Sequence, residues 1–111
     1  RIIGTGPAME LIYTADTIDA NRALEIGMVN HVVPADQLMD EAMKLAEKIC
    51  KNAQKAIRAS KLAIRRGMDC DISTAVSYEA LAFATCFGTE DQKEGMQAFL
   101  EKRKEKHFKN A

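Results

Sequence analysis

A chain of 111 residues with 47% hydrophobic content supports one modest core. Its 16 Lys and Arg balance 16 Asp and Glu, so no global field marks a nucleic-acid or membrane partner. No apolar run reaches the roughly 20 residues of a membrane-spanning helix, and the N-terminal residues lack a signal-peptide pattern.

The elements read as helix after helix, with one exception. Pro7 suits a first helical turn, and Ala8 to Tyr13 continues the run. Asp19 is placed to cap a short helix from Ala20 to Ile26, which Gly27 stops in the left-handed conformation. Met28 to Pro34, MVNHVVP, is rich in β-branched residues and ends on proline, and it reads as a strand. From Asp36 to Lys51, the apolar residues Leu38, Ala42, Leu45, Ala46 and Ile49 recur at helical steps. A further helix from Ala53 to Arg66 is expected to bury Ala53, Ala56, Ile57, Ser60 and Ile64. Lys55, Arg58, Lys61 and Arg65 lie on its other side, and Gly67 closes it. Asp71 or Ser73 caps the next helix, which runs through Tyr78 and Leu81 to Phe87 with Gly88 as terminator. Thr89 opens the last helix, and Gln92 stands where a capping box needs it. Gly95 costs that helix about 1 kcal/mol relative to Ala, so tertiary contacts are expected around it.

A lone strand leaves its backbone N–H and C=O groups without partners, and even an isolated hairpin is marginal in water. The Met28 to Pro34 segment therefore calls for a sheet supplied by a second copy or by chain preceding Arg1. The absence of an initiator Met also fits a start inside a longer polypeptide.

Groups able to do chemistry are few. Cys50, Cys70 and Cys86 are widely spaced, and only His31 and His107 stand ready to complete a metal set. Zinc and disulfide frameworks are thus not expected, and reduced thiols in a cytoplasmic protein are. Glu10, Asp16 and Glu25 sit at polar or helix-surface positions; His31 lies in the strand run and His107 in a basic tail. No GxSxG elbow, P-loop or HExxH occurs, and Gly4 to Gly6 is too short to cradle phosphate. No residue is assigned as acid, base or nucleophile.

The tail is more informative. From Phe99 onward, Lys102, Arg103, Lys104, Lys106 and Lys109 face only Glu101 and Glu105. Phe99 and Lys102 are three apart and would share a face on a helix. A ring beside an ammonium suits a nucleotide, stacking the base and pairing a phosphate. The plainer reading is a solvated helix end whose cations complement the helix dipole.

Two stretches carry a resemblance to a known family. MELIYTADTIDANRALEIGMVNHVVP, Met9 to Pro34, closely resembles a hallmark of the enoyl-CoA hydratase (crotonase) family. FGTEDQKEGMQAFLEKRKEKHF, Phe87 to Phe108, resembles that family's closing signature. Ala15 replaces the usual Gly of the turn before Asp16, and Gly88 stands where Ala is common. The resemblance covers the chain in order and is greatest to short-chain hydratases.

It implies a fragment that is mainly α: the C-terminal portion of the α/β crotonase (ClpP-like spiral) fold with its helical trimerisation domain. Residues 1–52 would be the last part of the spiral core, Met28 to Pro34 its late strand, and residues 53–111 the trimerisation and coenzyme A domain. The implied reaction adds water across the 2,3-double bond of an enoyl thioester, or removes it. Two glutamates act there as acid and base, and two backbone N–H groups hold the thioester oxyanion. These precede the position of Arg1, so no catalytic residue is expected within this chain, and the fragment alone is expected to be inactive. Carried over, Phe99 and Lys102 approach the adenine and phosphate end of coenzyme A, while Phe83 lies near the acyl end of a pocket or in ordinary core. No metal or separate cofactor is implied, because the coenzyme A thioester is the substrate. The implied partners are an acyl-CoA and further copies of the chain, as a trimer or dimer of trimers. Other crotonase-fold enzymes (isomerase or acyl-CoA hydrolase) and a non-catalytic helical oligomerisation module are the alternatives.

Overall fold

Among the described residues, hydrogen-bonding side chains open three of the helices, and left-handed residues close three. The structure is a computed structural model describing residues 1–110. Its helices are α1 (Thr5–Thr14), α2 (Ala20–Glu25), a 3₁₀ turn at Ala35–Gln37, α3 (Leu38–Cys50), α4 (Gln54–Gly67), α5 (Ile72–Cys86) and α6 (Glu90–Leu100). The chain divides into two compact units, Arg1–Ala42 and Met43–Ala111.

In the first unit, Pro7 lies in the first turn of α1, where its missing N–H breaks no helical bond. The helix ends on Ala15 at φ 56°, a left-handed residue other than glycine. Thr14 steadies this turn: its Oγ1 donates to Glu10 O at 2.9 Å and accepts from Asp16 N at 3.2 Å. Asp19 caps α2 as expected, accepting from Arg22 N at 2.7 Å. Gly27 then takes φ 75°, with Gly27 N donating to Leu24 O and Met28 N to Ala23 O. This paired arrangement is the Schellman termination, which satisfies carbonyls otherwise left free at a helix end.

The expected strand does not form. No strand occurs among the described residues, and Met28 to Pro34 is irregular chain. The physical reason is the one that made the strand anomalous: its β-branched residues have no neighbouring ladder to pair with. Met28 N and Val29 N instead both point back to Ala23 O.

In the second unit, α4 and α5 pack on each other. Ala63 is the buried residue of α4, and the half-buried Ala56, Ala59 and Gly67 share its side. Ser60 and Ile64, expected in the core, are exposed; Ile64 is 66% accessible. Small side chains thus make the contact, while the larger neighbours line its open edge. Gly67 is the last residue of α4, as expected, but it keeps a negative φ rather than the left-handed conformation. A Cβ built there would lie 3.3 Å from Ala75 Cβ, so the absent side chain permits close approach of α5. Asp71, not Ser73, caps α5, accepting from Thr74 N at 3.0 Å and Thr74 Oγ1 at 2.6 Å. These bonds, the hydroxyl's first, hold the Asp71 carboxyl below its ordinary range. Thr89 caps α6 by accepting from Gln92 N at 3.1 Å.

Candidate functional site

α6 carries a stripe of Asp91, Glu94, Gly95 and Ala98, spaced to fall on one side of a helix. Asp91 is 2% accessible and Ala98 fully buried. The residues after Leu100 fold back against this stripe. Lys109 N donates to Asp91 Oδ1 at 2.6 Å, and Asn110 N donates to both carboxylate oxygens, at 3.1 and 2.9 Å. Over Gly95 lies the half-buried Phe108 ring, its Cε1 3.7 Å from where a Cβ would stand. That contact is the tertiary environment expected around a glycine in mid-helix.

Glu94 anchors the near end of this strap. Arg103 donates Nη1–H to Glu94 Oε1 at 3.0 Å and Nη2–H to Oε2 at 3.1 Å, and His107 N also donates to Oε1, at 2.9 Å. A two-pronged guanidinium–carboxylate pair fixes orientation as well as distance. The Arg103 bonds, followed by that of His107, hold the Glu94 carboxyl down at about 2. Arg103 also donates Nε–H to Glu101 Oε2 at 2.6 Å and Nη1–H to Glu105 O at 3.1 Å. Glu94 and then Glu101 raise the guanidinium above its already high value. The strap's far end reaches another helix: Asn110 Oδ1 accepts from Gln54 N, at the first position of α4, at 3.0 Å.

Phe99 and Lys102 stand where α6 gives way to the strap. Phe99 is 76% accessible. Lys102 is exposed and lies beyond the helix, at φ 54°. Its N–H donates to Phe99 O at 3.1 Å and that of Arg103 to Ala98 O at 2.9 Å, reproducing the termination seen at Gly27. The two residues are therefore joined by a turn rather than by a helical face. A lysine in the left-handed region costs about 1–3 kcal/mol, and such residues gather at functional positions.

Phe83 is 65% accessible and meets Phe87 edge-on, ring centres 5.1 Å apart. It belongs to an apolar groove of about 540 Å³ between α4 and α5, together with Ala63, Ile64, Ile72 and Val76. No group of His, Cys, Asp and Glu suited to a metal ion occurs among the described residues. No helix there is long and apolar enough to cross a membrane. Sequence reasoning overlooked Asp91 and Glu94 as anchors of the tail. The available signal was the surplus of tail cations, which invites carboxylates elsewhere in the chain.

Known proteins resemble the chain over its whole length. The family profile described as enoyl-CoA hydratase/isomerase matches residues 1–110, and the chain belongs to that family. Over 110 residues, 99% of the chain, it is 54% identical to the short-chain-enoyl-CoA hydratase of Clostridium acetobutylicum, of which it covers 42%. It is 53% identical over 104 residues to the crotonyl-CoA hydratase of Syntrophomonas wolfei, covering 94% of the chain and 40% of that protein. Among solved structures, the enoyl-CoA hydratase from Bacillus anthracis superposes with a TM-score of 0.92 at 42% identity, over 100% of this chain and 43% of that one. The chain thus spans about two fifths of the length of these relatives.

Proposed function

We propose that this chain forms the C-terminal, coenzyme A-contacting part of a short-chain enoyl-CoA hydratase, a lyase that reversibly hydrates trans-2-enoyl-CoA thioesters. The observation that carries the reading is 54% identity to a short-chain-enoyl-CoA hydratase over essentially the whole chain. In this reading the two catalytic glutamates and the oxyanion-binding N–H groups lie outside residues 1–111. Coenzyme A arrives as part of the substrate and not as a resident cofactor, and the enzyme works in the cytoplasm.

Phe99 and Lys102 are the residues we assign to the nucleotide end of coenzyme A. Their exposure suits a ligand from outside, and the unusual backbone of Lys102 supports a role for its side chain. Broad apolar exposure, including Ile64, Ile72 and Phe83 along the α4–α5 groove, supports assembly through these faces, as a trimer or a dimer of trimers.

The full-length protein given crotonyl-CoA should consume the ultraviolet absorbance of the conjugated thioester and yield 3-hydroxybutyryl-CoA. Release of free thiol without hydration would mark an acyl-CoA hydrolase instead, and a shifted double bond an isomerase. Lys102→Ala should raise KM for the ester and leave kcat nearly unchanged, because a contact far from the reacting carbons acts equally in ground and transition states.

A further inference from the structure

The segment following Phe99 has no evident reason to stop being helical. Leu100 to Lys106 reads LEKRKEK, all good helix formers with neither Gly nor Pro. Even so, α6 ends at Leu100, and the left-handed position is taken by Lys102. The pair closing this turn is Glu94 with Arg103. Nine residues apart on a continuous helix, they would be separated by about 13 Å along the axis, whereas the guanidinium lies 3.0 Å from the carboxylate. Pairing and helix continuation therefore exclude each other. Arg103 Nε also bonds Glu101 at 2.6 Å, so the residues on either side of Lys102 are tied to one another beneath it. The Lys102 ammonium has no ion-pair partner among the described residues, while Arg103 and Lys109 are engaged by Glu94 and Glu90.

From this geometry we infer that Glu94 is a positioning residue for coenzyme A: through Arg103 it ends α6 at Leu100 and so aims Lys102 at a ligand phosphate. The inference rests on the assignment of Phe99 and Lys102 to coenzyme A. Without the Glu94 pair, the turn keeps the Asp91 anchor and the Phe108 contact at the far end of the strap, and conformations in which α6 runs on through Glu101 and Lys102 gain population. Each residue added to a helix turns about 100°, so Lys102 leaves the left-handed position it holds after Leu100 and its side chain is redirected. The ligand must then select the turn from a mixed population, which weakens binding without touching the reacting atoms.

The test is a binding cycle in the full-length protein, with butyryl-CoA as an unreactive probe and butyryl-pantetheine as a probe lacking the nucleotide end. Calorimetry should show that Glu94→Gln weakens butyryl-CoA about 3- to 10-fold, comparable with ordering one long side chain. Butyryl-pantetheine affinity and kcat should move less than about 2-fold. Glu94→Gln combined with Lys102→Ala should be no weaker than Lys102→Ala alone, because both remove one contact. Independent, additive losses would overturn the positioning role, as would unchanged butyryl-CoA affinity in Glu94→Gln. If Lys102→Ala itself binds butyryl-CoA normally, the coenzyme A assignment falls and the positioning role falls with it. Arg103→Lys keeps the charge but loses the two-pronged pair. It should reproduce the Glu94→Gln pattern and decides the matter if Glu94→Gln does not fold.

Discussion

Replacing Lys102 by glycine should strengthen the fold and weaken the ligand contact in the same molecule. Lys102 holds φ 54° inside a termination that elsewhere in the chain uses Gly27 at φ 75°. Relieving an L-residue of that conformation returns about 1–2 kcal/mol. The greater freedom of glycine in the unfolded chain takes back about 0.5–1 kcal/mol, leaving a net gain of about 0.5–1 kcal/mol. With a urea dependence of about 2 kcal/mol per molar, the unfolding midpoint should rise by about 0.25–0.5 M. Lys102→Ala keeps the strained backbone and should show no comparable gain. Both variants lose the ammonium, so both should lose butyryl-CoA affinity to the same extent. Urea titration of the two variants beside the parent, followed by calorimetry, separates the effects. A glycine variant no more stable than the alanine variant would refute the backbone reasoning. A glycine variant that keeps full affinity would refute the role given to the side chain.

Three further expectations follow from other positions. Ala15→Gly should also stabilise by about 0.5–1 kcal/mol, since Ala15 sits at φ 56° after α1; thermal unfolding checks it, and an unchanged midpoint counts against the assigned strain. Asp91→Ala should release the far end of the strap, read as faster hydrogen exchange at the Lys109 and Asn110 amides that the carboxylate now accepts. The strap should also loosen in acid: Glu94 stands at about 2 against an ordinary 4.5. A carboxylate lowered in the folded state stabilises above the higher value and loses that contribution as pH falls through the lower one. The protection of the His107 amide, its exchange rate set against the intrinsic rate at each pH, should therefore fall between about pH 4.5 and about pH 2. In Glu94→Gln that protection should be low throughout.

Features governed by near neighbours were legible in the sequence. Asp19, Asp71 and Thr89 each cap an N–H three residues on, and Gly27 terminates α2, because these bonds depend on a few adjacent positions. The family was legible for a related reason, since its two motif stretches, Met9 to Pro34 and Phe87 to Phe108, run through the caps at Asp19, Gly27 and Thr89. Composition alone misjudged Met28 to Pro34: β-branched residues favour a strand only where a ladder receives them. Ala56 and Ile57 of the expected side of α4 are half-buried, but a close approach to α5 falls at Gly67, beside Ala75, while Ser60 and Ile64 stay exposed. Phe99 and Lys102 were expected to share a helical face, but Lys102 lies past the end of α6, in a turn that Glu94 meeting Arg103 helps to close. A partner nine residues away obeys no helical spacing, so neither periodicity nor capping patterns reveal it.

The distances along the chain spanned by the strap's bonds have a consequence for the order of folding. Arg103 to Glu94 closes 9 residues, His107 to Glu94 closes 13, and the Asp91 bonds close 18 and 19. Each successive loop is only slightly harder to close than the last, because closure entropy grows with the logarithm of length. The α6 hairpin can therefore zip outward from its turn in small steps, largely by itself. The bond from Gln54 to Asn110 spans 56 residues and is the exception. It forms late in such a sequence, once the zipped hairpin meets the start of α4, and it should be the first of these contacts to break on unfolding.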